Sequence, residues 1–414
     1  MWGPMTVLPP PAHARAARVA VSVLFIANGA VSASILPRLP AIKETLGLSN
    51  AELGMAIAAM PVGGLLAGGF VGLLIARIGS GRLASAAGLG AAAALAILGM
   101  TGSWAGLAGA FLLLGVFDAT MDASMNAHGI GVERLYGRSI FQGFHGMWSA
   151  GSMAAGAAGA LAAAAGVPVS VDLAAAALVA GAGVVFASRR LLPRAEADSH
   201  PAGEEEVSEL VHLRHAPVLL RVLVPIAMLG ILCAVLQGAA ATWGAIFLSD
   251  VLGQAAGVAA AGYVVFMGAM TLGRLTNDRW IDRLGRVVVV RAGAIAGGLG
   301  VLAVMASAPL ALPALTFAGF ALIGVGSSPM FPVMAATAGS VPGIPAGHGV
   351  SLVSWFVRFG LVLAPAIVGL AADAVGLAAA FVIPLMASMV ILVAAPAMIR
   401  GGHERARRHA ATAS

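Results

Sequence analysis

The chain has 414 residues, of which 60% are hydrophobic and 10% are charged, and its mean hydropathy is +0.97. Soluble domains average about 45–50% apolar and about 25% charged residues, so this composition excludes a soluble protein and predicts an integral membrane protein. The net charge of +6 and pI of 10.8 suggest nucleic acid, but the arginines lie in short loops between apolar segments, which argues against that partner. The single cysteine, Cys233, excludes an intrachain disulfide.

Twelve apolar segments reach the length of about 20 residues that a membrane-spanning helix needs. They predict an all-α membrane protein with twelve transmembrane helices. The predicted spans are residues 19–37, 53–76, 83–101, 105–128, 139–165, 169–188, 219–248, 256–280, 287–306, 311–336, 348–371 and 377–399.

A polar stretch divides these spans into two sets of six. Residues 189–217 contain Glu204-Glu205-Glu206 and other residues that lipid would not accommodate, so they predict a solvated linker, with an amphipathic pattern over 203–214. The predicted domains are an N-terminal arm (1–18), a six-helix bundle (19–188), the linker, a second six-helix bundle (218–399) and a tail (400–414).

Basic residues cluster in alternate loops. The loops on one side contain Arg38 and Lys43. The loops on the other side contain the other loop arginines, and both termini, which also carry arginines, lie on that side. The positive-inside rule therefore predicts that both termini are cytoplasmic, as an even number of spans requires. The N-terminal arm has no small-residue cleavage site after the first apolar run, so that run is interpreted as an uncleaved span.

Two aspartates, Asp118 and Asp122, interrupt the apolar fourth span. Each ionised carboxylate costs about 2.5–3.5 kcal/mol at the bilayer centre, so their presence indicates a function. They are four residues apart and project from one face of a helix, which Asn126 extends. Two carboxylates one turn apart raise each other's proton affinity and predict a proton-coupling site. A helix–helix hydrogen bond through a protonated aspartate, or a salt bridge that locks one conformation, would also explain them.

The two halves of the sequence repeat. Ala76-Arg77-Ile78-Gly79 matches Asp282-Arg283-Leu284-Gly285 at an offset of 206 residues, and Gly159-Ala160-Leu161 matches Gly369-Leu370-Ala371 at an offset of 210. Such a duplication predicts two six-helix bundles related by a pseudo-twofold axis along the membrane normal. In folds of this kind the substrate site lies near mid-membrane between the halves.

The two repeated loops, residues 77–82 and 282–286, resemble the short loop signature of the major facilitator superfamily (MFS), although Ala76 replaces the usual aspartate. Further segments resemble the YbjJ-type branch, which is distantly similar to fucose permease: residues 39–43, 47–54, 121–126, 143–149 and 242–248. The resemblance implies a secondary transporter that works by alternating access in the cytoplasmic membrane of a bacterium.

The resemblance also implies roles for individual residues. Asp122 and Asn126 match the acid-x-x-x-Asn pattern of the fourth helix of fucose permeases, where the acid takes part in proton-coupled sugar transport. Gln142 and His145 resemble a polar pair of the fifth helix, and Trp148 lies one turn further on. The predicted substrate set comprises Asn126, Gln142, His145, Trp148, Asn28, Gln237 and Arg358, and packing roles for His145 and Trp148 stay open.

The sequence departs from the fucose-permease scheme at two acidic positions. Ala33 replaces a proton-carrying aspartate of the first helix, and Gln237 stands where the branch often has glutamate. Proton coupling would therefore depend on Asp118 and Asp122.

Arg358 is the basic residue near the middle of the eleventh predicted span. A buried guanidinium needs an anion, so we expect Arg358 to face the central cavity and to pair with Asp118 and Asp122 or with an anionic substrate.

An i,i+4 ion pair between Arg274 and Asp278 is expected at the cytoplasmic end of the eighth span. The predicted cytoplasmic gate comprises Arg77, Arg82, Arg274, Asp278, Asp282 and Arg286. Pro329 and Pro332 predict a break in the tenth helix.

Other functional classes lack their sequence patterns. The single lysine, Lys43, lies in no phosphate-binding loop, and no Gly-x-Ser-x-Gly or His-Glu-x-x-His sequence occurs. Because Asp118 and Asp122 share one helix, they cannot clamp a peptide bond from opposite sides as an intramembrane protease would. We therefore expect no enzyme activity, no cofactor and no metal.

The expected partners are a small-molecule substrate, protons and membrane lipids, and the chain is expected to be a monomer. The predicted function is symport of a sugar or a small hydroxylated metabolite. A proton-driven exporter of a drug, natural product or organic anion, an uncoupled facilitator and a lipid flippase remain alternatives.

Overall fold

The computed structural model describes residues 11–198, 224–338 and 346–396, and of residues 346–355 it describes the backbone alone. The first part of the chain contains α1 (Ala12–Ile35), α2 (Leu39–Leu46), α3 (Asn50–Ile78), α4 (Ser80–Leu98), α5 (Trp104–Tyr136), α6 (Phe141–Ala164), α7 (Val169–Ser188) and α8 (Arg194–Ala197). The second part contains α9 (Val224–Ala241), α10 (Ala256–Leu284), α11 (Arg286–Leu310), α12 (Pro313–Ser327), α13 (Met330–Ala338), α14 (Ala346–Val375) and α15 (Leu377–Pro396).

The predicted all-α membrane fold is confirmed. Within the described ranges, eleven helical segments are long and apolar enough to cross a membrane. The remaining predicted span corresponds to α6, which has 24 residues but includes Gln142, His145 and several glycines that lower its hydropathy. The sixth predicted span, 169–188, has the same limits as α7.

Two helices are longer than the sequence predicts. α1 begins at Ala12 instead of residue 19, and α5 continues to Tyr136 instead of ending near residue 128. The Ser103 side chain caps the start of α5 by accepting a hydrogen bond from the Gly106 N–H, and Gly137 ends the helix in the left-handed conformation (φ 61°). A helix can extend past the apolar span because its polar last turns remain in water.

Three breaks interrupt the described part of the second set of spans, and the shortest is the single turn residue Phe381 in α15. The other two are longer. The prolines predict the first correctly, since α12 ends at Ser327 and α13 starts at Met330, directly after Pro329. The second break, at Thr242 and Trp243, follows α9 and involves no proline. A π-helical turn over Phe247–Val251 comes next, and such turns are frequent near functional sites.

Positive backbone φ angles recur at the offsets seen in the sequence. Gly47 and Gly253, with φ of 61° and 60°, are 206 residues apart, and so are Gly79 and Gly285, with φ of 90° and 82°. Gly166 and Gly376 are 210 residues apart. Since only glycine adopts such angles without strain, the same turns recur in both halves, which supports an internal duplication.

The chain forms two compact units. Unit 1 comprises Met1–Ile35, Val62–Gly159 and Val167–Pro201, and unit 2 comprises Leu36–Pro61, Ala160–Gly166 and Ala202–Ser414. Unit 2 therefore includes α2 and the first part of α3, which belong to the first repeat. The boundaries predicted for the bundles stay a prediction. Most of the linker, the amphipathic pattern over 203–214 and the tail lie outside the described residues.

Candidate functional site

Asp118 is the centre of a polar network within unit 1. The Asp118 carboxylate, half-buried on α5, accepts at Oδ1 a hydrogen bond of 3.0 Å from Asn28 Nδ2 and one of 2.9 Å from Ser32 Oγ. Asn28 and Ser32 are one turn apart on α1. Asn28 Oδ1 in turn accepts a 2.9 Å hydrogen bond from Trp148 Nε1 on α6. The network thus joins α1, α5 and α6, and it brings together three of the predicted site residues.

Asp122 and Asn126 interact within α5. Asn126 Nδ2 donates to the Asp122 carboxylate at 3.0 Å and to the Asp122 main-chain carbonyl at 2.7 Å. Both residues are half-buried. The Asn126 amide hydrogens are therefore directed at Asp122, and its carbonyl oxygen is the group suited to bind a solute.

The predicted polar pair on α6 is exposed within unit 1. The His145 ring makes edge-to-face contacts with Phe25 and Phe141, each with ring centroids 5.2 Å apart. Gln142 lies one turn before His145, and nothing comes within 4 Å of a Cβ built on Gly143 or Gly146. This stretch of α6 offers an amide, an imidazole and open space, which suits a solute with hydroxyl groups.

The predicted residues in unit 2 are less closely connected. Gln237 on α9 is half-buried and donates from Nε2 to Cys233 Sγ at 3.2 Å. Arg358 on α14 is half-buried. The pairing of Arg358 with the α5 carboxylates stays a prediction. No group of three or more metal-binding side chains occurs in the described parts of the chain.

The predicted gate residues lie near the turns that join α3 to α4 and α10 to α11. Four of them are exposed and two, Arg274 and Arg286, are half-buried; the exposed ones are Arg77, Arg82, Asp278 and Asp282. The expected ion pair between Arg274 and Asp278 is not formed, although the structure describes both residues, so that structural prediction is wrong. The i,i+4 spacing brings the Cβ atoms near each other, but Asp278 is exposed whereas Arg274 is half-buried.

A second polar cluster, the linker clasp (Ser80, His128, Leu192, Arg194 and Asp198), surrounds the turn between α3 and α4. Arg194 on α8 donates from Nη1 to the Arg77 carbonyl at 3.1 Å and from Nη2 to the Ala76 carbonyl, so it caps the end of α3. Asp198 accepts from the Ser80 N–H at 3.1 Å and so caps the start of α4. The start of the linker therefore binds the same turn through Arg194 and Asp198.

His128 connects the clasp to α5. The fully buried imidazole accepts the Leu192 N–H at Nε2 (3.1 Å), so Nε2 is unprotonated and Nδ1 donates to Ser80 Oγ (3.0 Å). The Ser80 hydroxyl then donates to Asp198 Oδ1 at 2.5 Å. Serine lies between histidine and carboxylate and is inaccessible, an order that excludes a nucleophilic triad, in which histidine occupies the middle.

The α2 contact (Lys43, Asn50, Ala51, Asp250 and Asp373) joins distant segments within unit 2. Lys43 Nζ lies 2.5 Å from Asp250 Oδ2. The Asp373 carboxylate accepts the Asn50 N–H at 2.9 Å and the Ala51 N–H at 2.8 Å, and so caps α3 from 322 residues away. Ser49 and Glu52 form a local capping box at the same terminus.

Comparison with known proteins adds the family. The family model described as Major Facilitator Superfamily matches residues 21–346, which is most of the chain. The chain belongs to the major facilitator superfamily. An uncharacterized MFS-type transporter of Yersinia pestis is 28% identical over 384 residues, which cover 92% of this chain and 94% of that protein. A multi-pass membrane transporter is therefore established.

Solved structures show the same MFS fold. The nucleoside transporter NupG aligns with a TM-score of 0.75 at 14% identity over 92% of this chain and 98% of that one. A D-xylose–proton symporter aligns with a TM-score of 0.72 at 13% identity over 94% and 97%. At these identities the similarity establishes the fold alone.

Sequence reasoning missed several polar residues of this MFS chain. Ser32 follows Asn28 by one turn, and that spacing would have been enough to place both on one face of α1. His128 lies at the polar end of α5. Asp198 and Asp373 become important only through contacts with helix termini far away in sequence, and no local pattern marks them.

Proposed function

We propose that this chain is a proton-coupled secondary transporter of a small hydroxylated solute. The observation that carries the proposal is the polar network around Asp118. A carboxylate in an apolar segment is costly, and here two hydrogen-bond donors on another helix are directed at it. A second carboxylate one turn away gives the pair two protonation steps that depend on each other.

Asp122 is proposed as the proton carrier and Asp118 as its modulator. The donors from Asn28 and Ser32 favour the charged form of Asp118, whereas the amide that reaches Asp122 belongs to its own helix. A charged Asp118 one turn away favours protonation of Asp122. The proton would enter from one side of the membrane and leave to the other as the site changes access.

The solute is proposed to bind at Gln142, His145 and the Asn126 carbonyl. The exposed amide and imidazole on α6 suit hydroxyl groups. The structural relatives support this class, since one is a nucleoside transporter and one a D-xylose–proton symporter. The sequence resemblance to the YbjJ-type branch, and through it distantly to fucose permease, favours the same class of solute.

The remaining assignments complete the proposal. The loop arginines favour an orientation in the bacterial cytoplasmic membrane with both termini cytoplasmic, and the chain would act as a monomer among lipids. The α2 contact would then lie at the outer side and the linker clasp at the inner side. The proposed inner gate consists of Arg77, Arg82, Arg274, Asp278, Asp282 and Arg286.

Transport by purified protein in liposomes tests this function. A thermal-shift screen against sugars, nucleosides, organic acids and antibiotics selects the labelled solute, with D-xylose and uridine as the first probes. An inward-directed proton gradient should drive accumulation by the unaltered protein, and Asp122→Asn should abolish it. Glu44→Gln, which alters an exposed carboxylate on α2, is the matched control and should accumulate solute normally. Accumulation that persists in Asp122→Asn would contradict the assignment.

Export of an organic anion by proton exchange is the second candidate. The half-buried Arg358 favours it, because a guanidinium within an apolar span suits an anionic solute. A thermal shift with organic acids that disappears in Arg358→Gln would select this function. Downhill flux that is insensitive to a proton gradient would instead indicate a facilitator, and movement of labelled lipid would indicate a flippase.

A further inference from the structure

The amide of Asn28 has a fixed orientation. An indole nitrogen only donates hydrogen bonds, so the Asn28 atom that faces Trp148 must be the carbonyl oxygen. The amide nitrogen then faces Asp118, where a carboxylate oxygen accepts its hydrogen. Asn28 is buried, with 3% of its surface exposed. Its two bonds therefore form a directed chain from Trp148 through Asn28 to Asp118.

Close helix packing sets the geometry of this chain. A Cβ built on Gly29 would lie 2.3 Å from the Trp148 carbonyl oxygen, and one built on Gly151 would lie 2.3 Å from the Ile26 carbonyl oxygen. The Ser152 hydroxyl also donates to the Gly29 carbonyl at 3.1 Å. The backbones of α1 and α6 are thus in direct contact around the bond from Trp148 to Asn28, and a shift of α6 along α1 would break that bond.

Trp148 lies one turn after His145, one of the proposed solute residues. The spacing of three residues makes the two side chains neighbours on α6. Trp148 is half-buried, with its indole nitrogen turned toward α1. Adjacent turns of α6 therefore carry a proposed solute residue and, through Trp148 and Asn28, a connection to the carboxylate pair.

We propose that Trp148 and Asn28 are positioning residues that make the conformation of the α6 solute face and the protonation of the Asp118–Asp122 pair change together. This inference rests on the proposed function and names the residues that would couple solute binding to protonation. With the chain formed, Asn28 and Ser32 both donate hydrogen bonds to the Asp118 carboxylate. When α6 moves and the Asn28 donor is lost, the charged form of Asp118 loses support, and the pair takes up or redistributes a proton from the aqueous phase.

Other titratable groups lie on the helices around Asp118 and must be distinguished from it. Asp122, His128, Glu133 and Arg134 are on the same helix, and His145 is on α6. Arg82 lies at the start of α4, Asp172 at the start of α7, and His13, Arg15 and Arg18 at the start of α1. Of these, Asp122 is a member of the pair, and His145 is the nearest to Trp148 along α6.

The emission of Trp148 tests the inference without any solute or proton gradient. The chain has six tryptophans, so a variant that retains Trp148 and has phenylalanine at the other five reports this residue alone. Its emission in detergent should change with pH in one transition. Asp118→Asn and Asn28→Leu should each remove the change, whereas Asp122→Asn should shift its midpoint and His145→Gln should leave it in place.

Two outcomes would overturn the inference. One is a Trp148 emission that does not depend on pH, and the other is a pH response that survives Asp118→Asn or is lost in His145→Gln. Because a reporter that retains Trp104 should be insensitive to Asp118→Asn, it serves as the control for global unfolding. A normal titration without gradient-driven uptake in liposomes would contradict the transport function and not the link, so the two failures are distinguishable.

Discussion

Arg194 and Asp198 lie four residues apart at the start of the linker and cap the two helices that meet at Gly79. The Arg194 guanidinium binds carbonyls at the end of α3, where the helix dipole is negative, and the Asp198 carboxylate binds the amide at the start of α4, where it is positive. Each charge has the sign that its helix end favours. Gly79 allows this approach, because its φ of 90° makes the tight turn and a Cβ there would lie 3.0 Å from Arg194 Cγ.

Loss of the linker clasp should destabilise unit 1. Asp198→Ala removes a helix cap, which costs about 1 kcal/mol. His128→Leu leaves the buried Leu192 N–H without its acceptor and removes the hydrogen bond that Ser80 Oγ accepts, so it should cost about 1–3 kcal/mol. Because both act on Ser80, the double variant should lose less than the two single losses combined. Thermal unfolding in detergent measures these effects, and Glu44→Ala is the exposed carboxylate control. Strict additivity would show that the clasp does not act as one network.

Removal of the Asp373 cap should loosen the α2 contact. Asp373→Ala leaves the Asn50 and Ala51 amides to the solvent, at a cost of about 1 kcal/mol, or roughly a fivefold change in population. The local capping box should keep α3 helical. A cysteine introduced at the buried Ala56, in a Cys233→Ala background, should then react with maleimide several-fold faster. If the maleimide reaction rate in Asp373→Ala equals the rate in the Glu44→Ala control and in the parent protein, the Asp373 cap does not limit the opening of the α2 contact.

Two glycines of α3 should respond in opposite ways to alanine. A Cβ at Gly54 would lie 2.3 Å from the Pro365 carbonyl oxygen, so Gly54→Ala must push backbone away and should destabilise by about 1–3 kcal/mol. Nothing lies within 4 Å of a Cβ at Gly68, so Gly68→Ala should be stabilising by about 0.5–1 kcal/mol through lower chain entropy. Melting temperatures of the two variants provide the comparison. Equal shifts would contradict the close approach at Gly54.

The ion pair of the α2 contact should be weak and sensitive to salt. Lys43 and Asp250 are partly exposed, and such pairs contribute about 0.2–1 kcal/mol. A double-mutant cycle with Lys43→Ala and Asp250→Ala should give a coupling energy in that range, which falls as ionic strength rises. A large coupling at high salt would indicate a desolvated pair instead.

Much of the fold can be predicted from the sequence because its determinants are local. The length of each apolar segment places each span, as the agreement over 169–188 shows. Pro329 marks the break between α12 and α13. The break at Thr242 and Trp243 was not predictable in this way, since neither residue forbids a helix. Trp243 resembles an interfacial anchor in sequence, yet it is buried, with 1% of its surface exposed.

The site was predictable at the level of residue type and less so at the level of partners. The cost of burying a charge selects Asp118 and Asp122 from sequence alone. Their partners depend on how α1 and α6 are rotated against α5, which no local pattern encodes. For that reason Asn28 was expected to bind substrate, whereas both ends of its amide bind protein groups.

The unbroken length of α5 has a mechanical consequence. Asp118 and His128 are ten residues apart on this helix, a distance of about 15 Å, and α5 contains no proline at which it would bend. The helix therefore acts as a stiff lever with the carboxylate pair at its middle and the anchor of the linker near its end. A small tilt or rotation of α5 at the carboxylate pair would therefore also move His128 and the start of the linker that His128 binds.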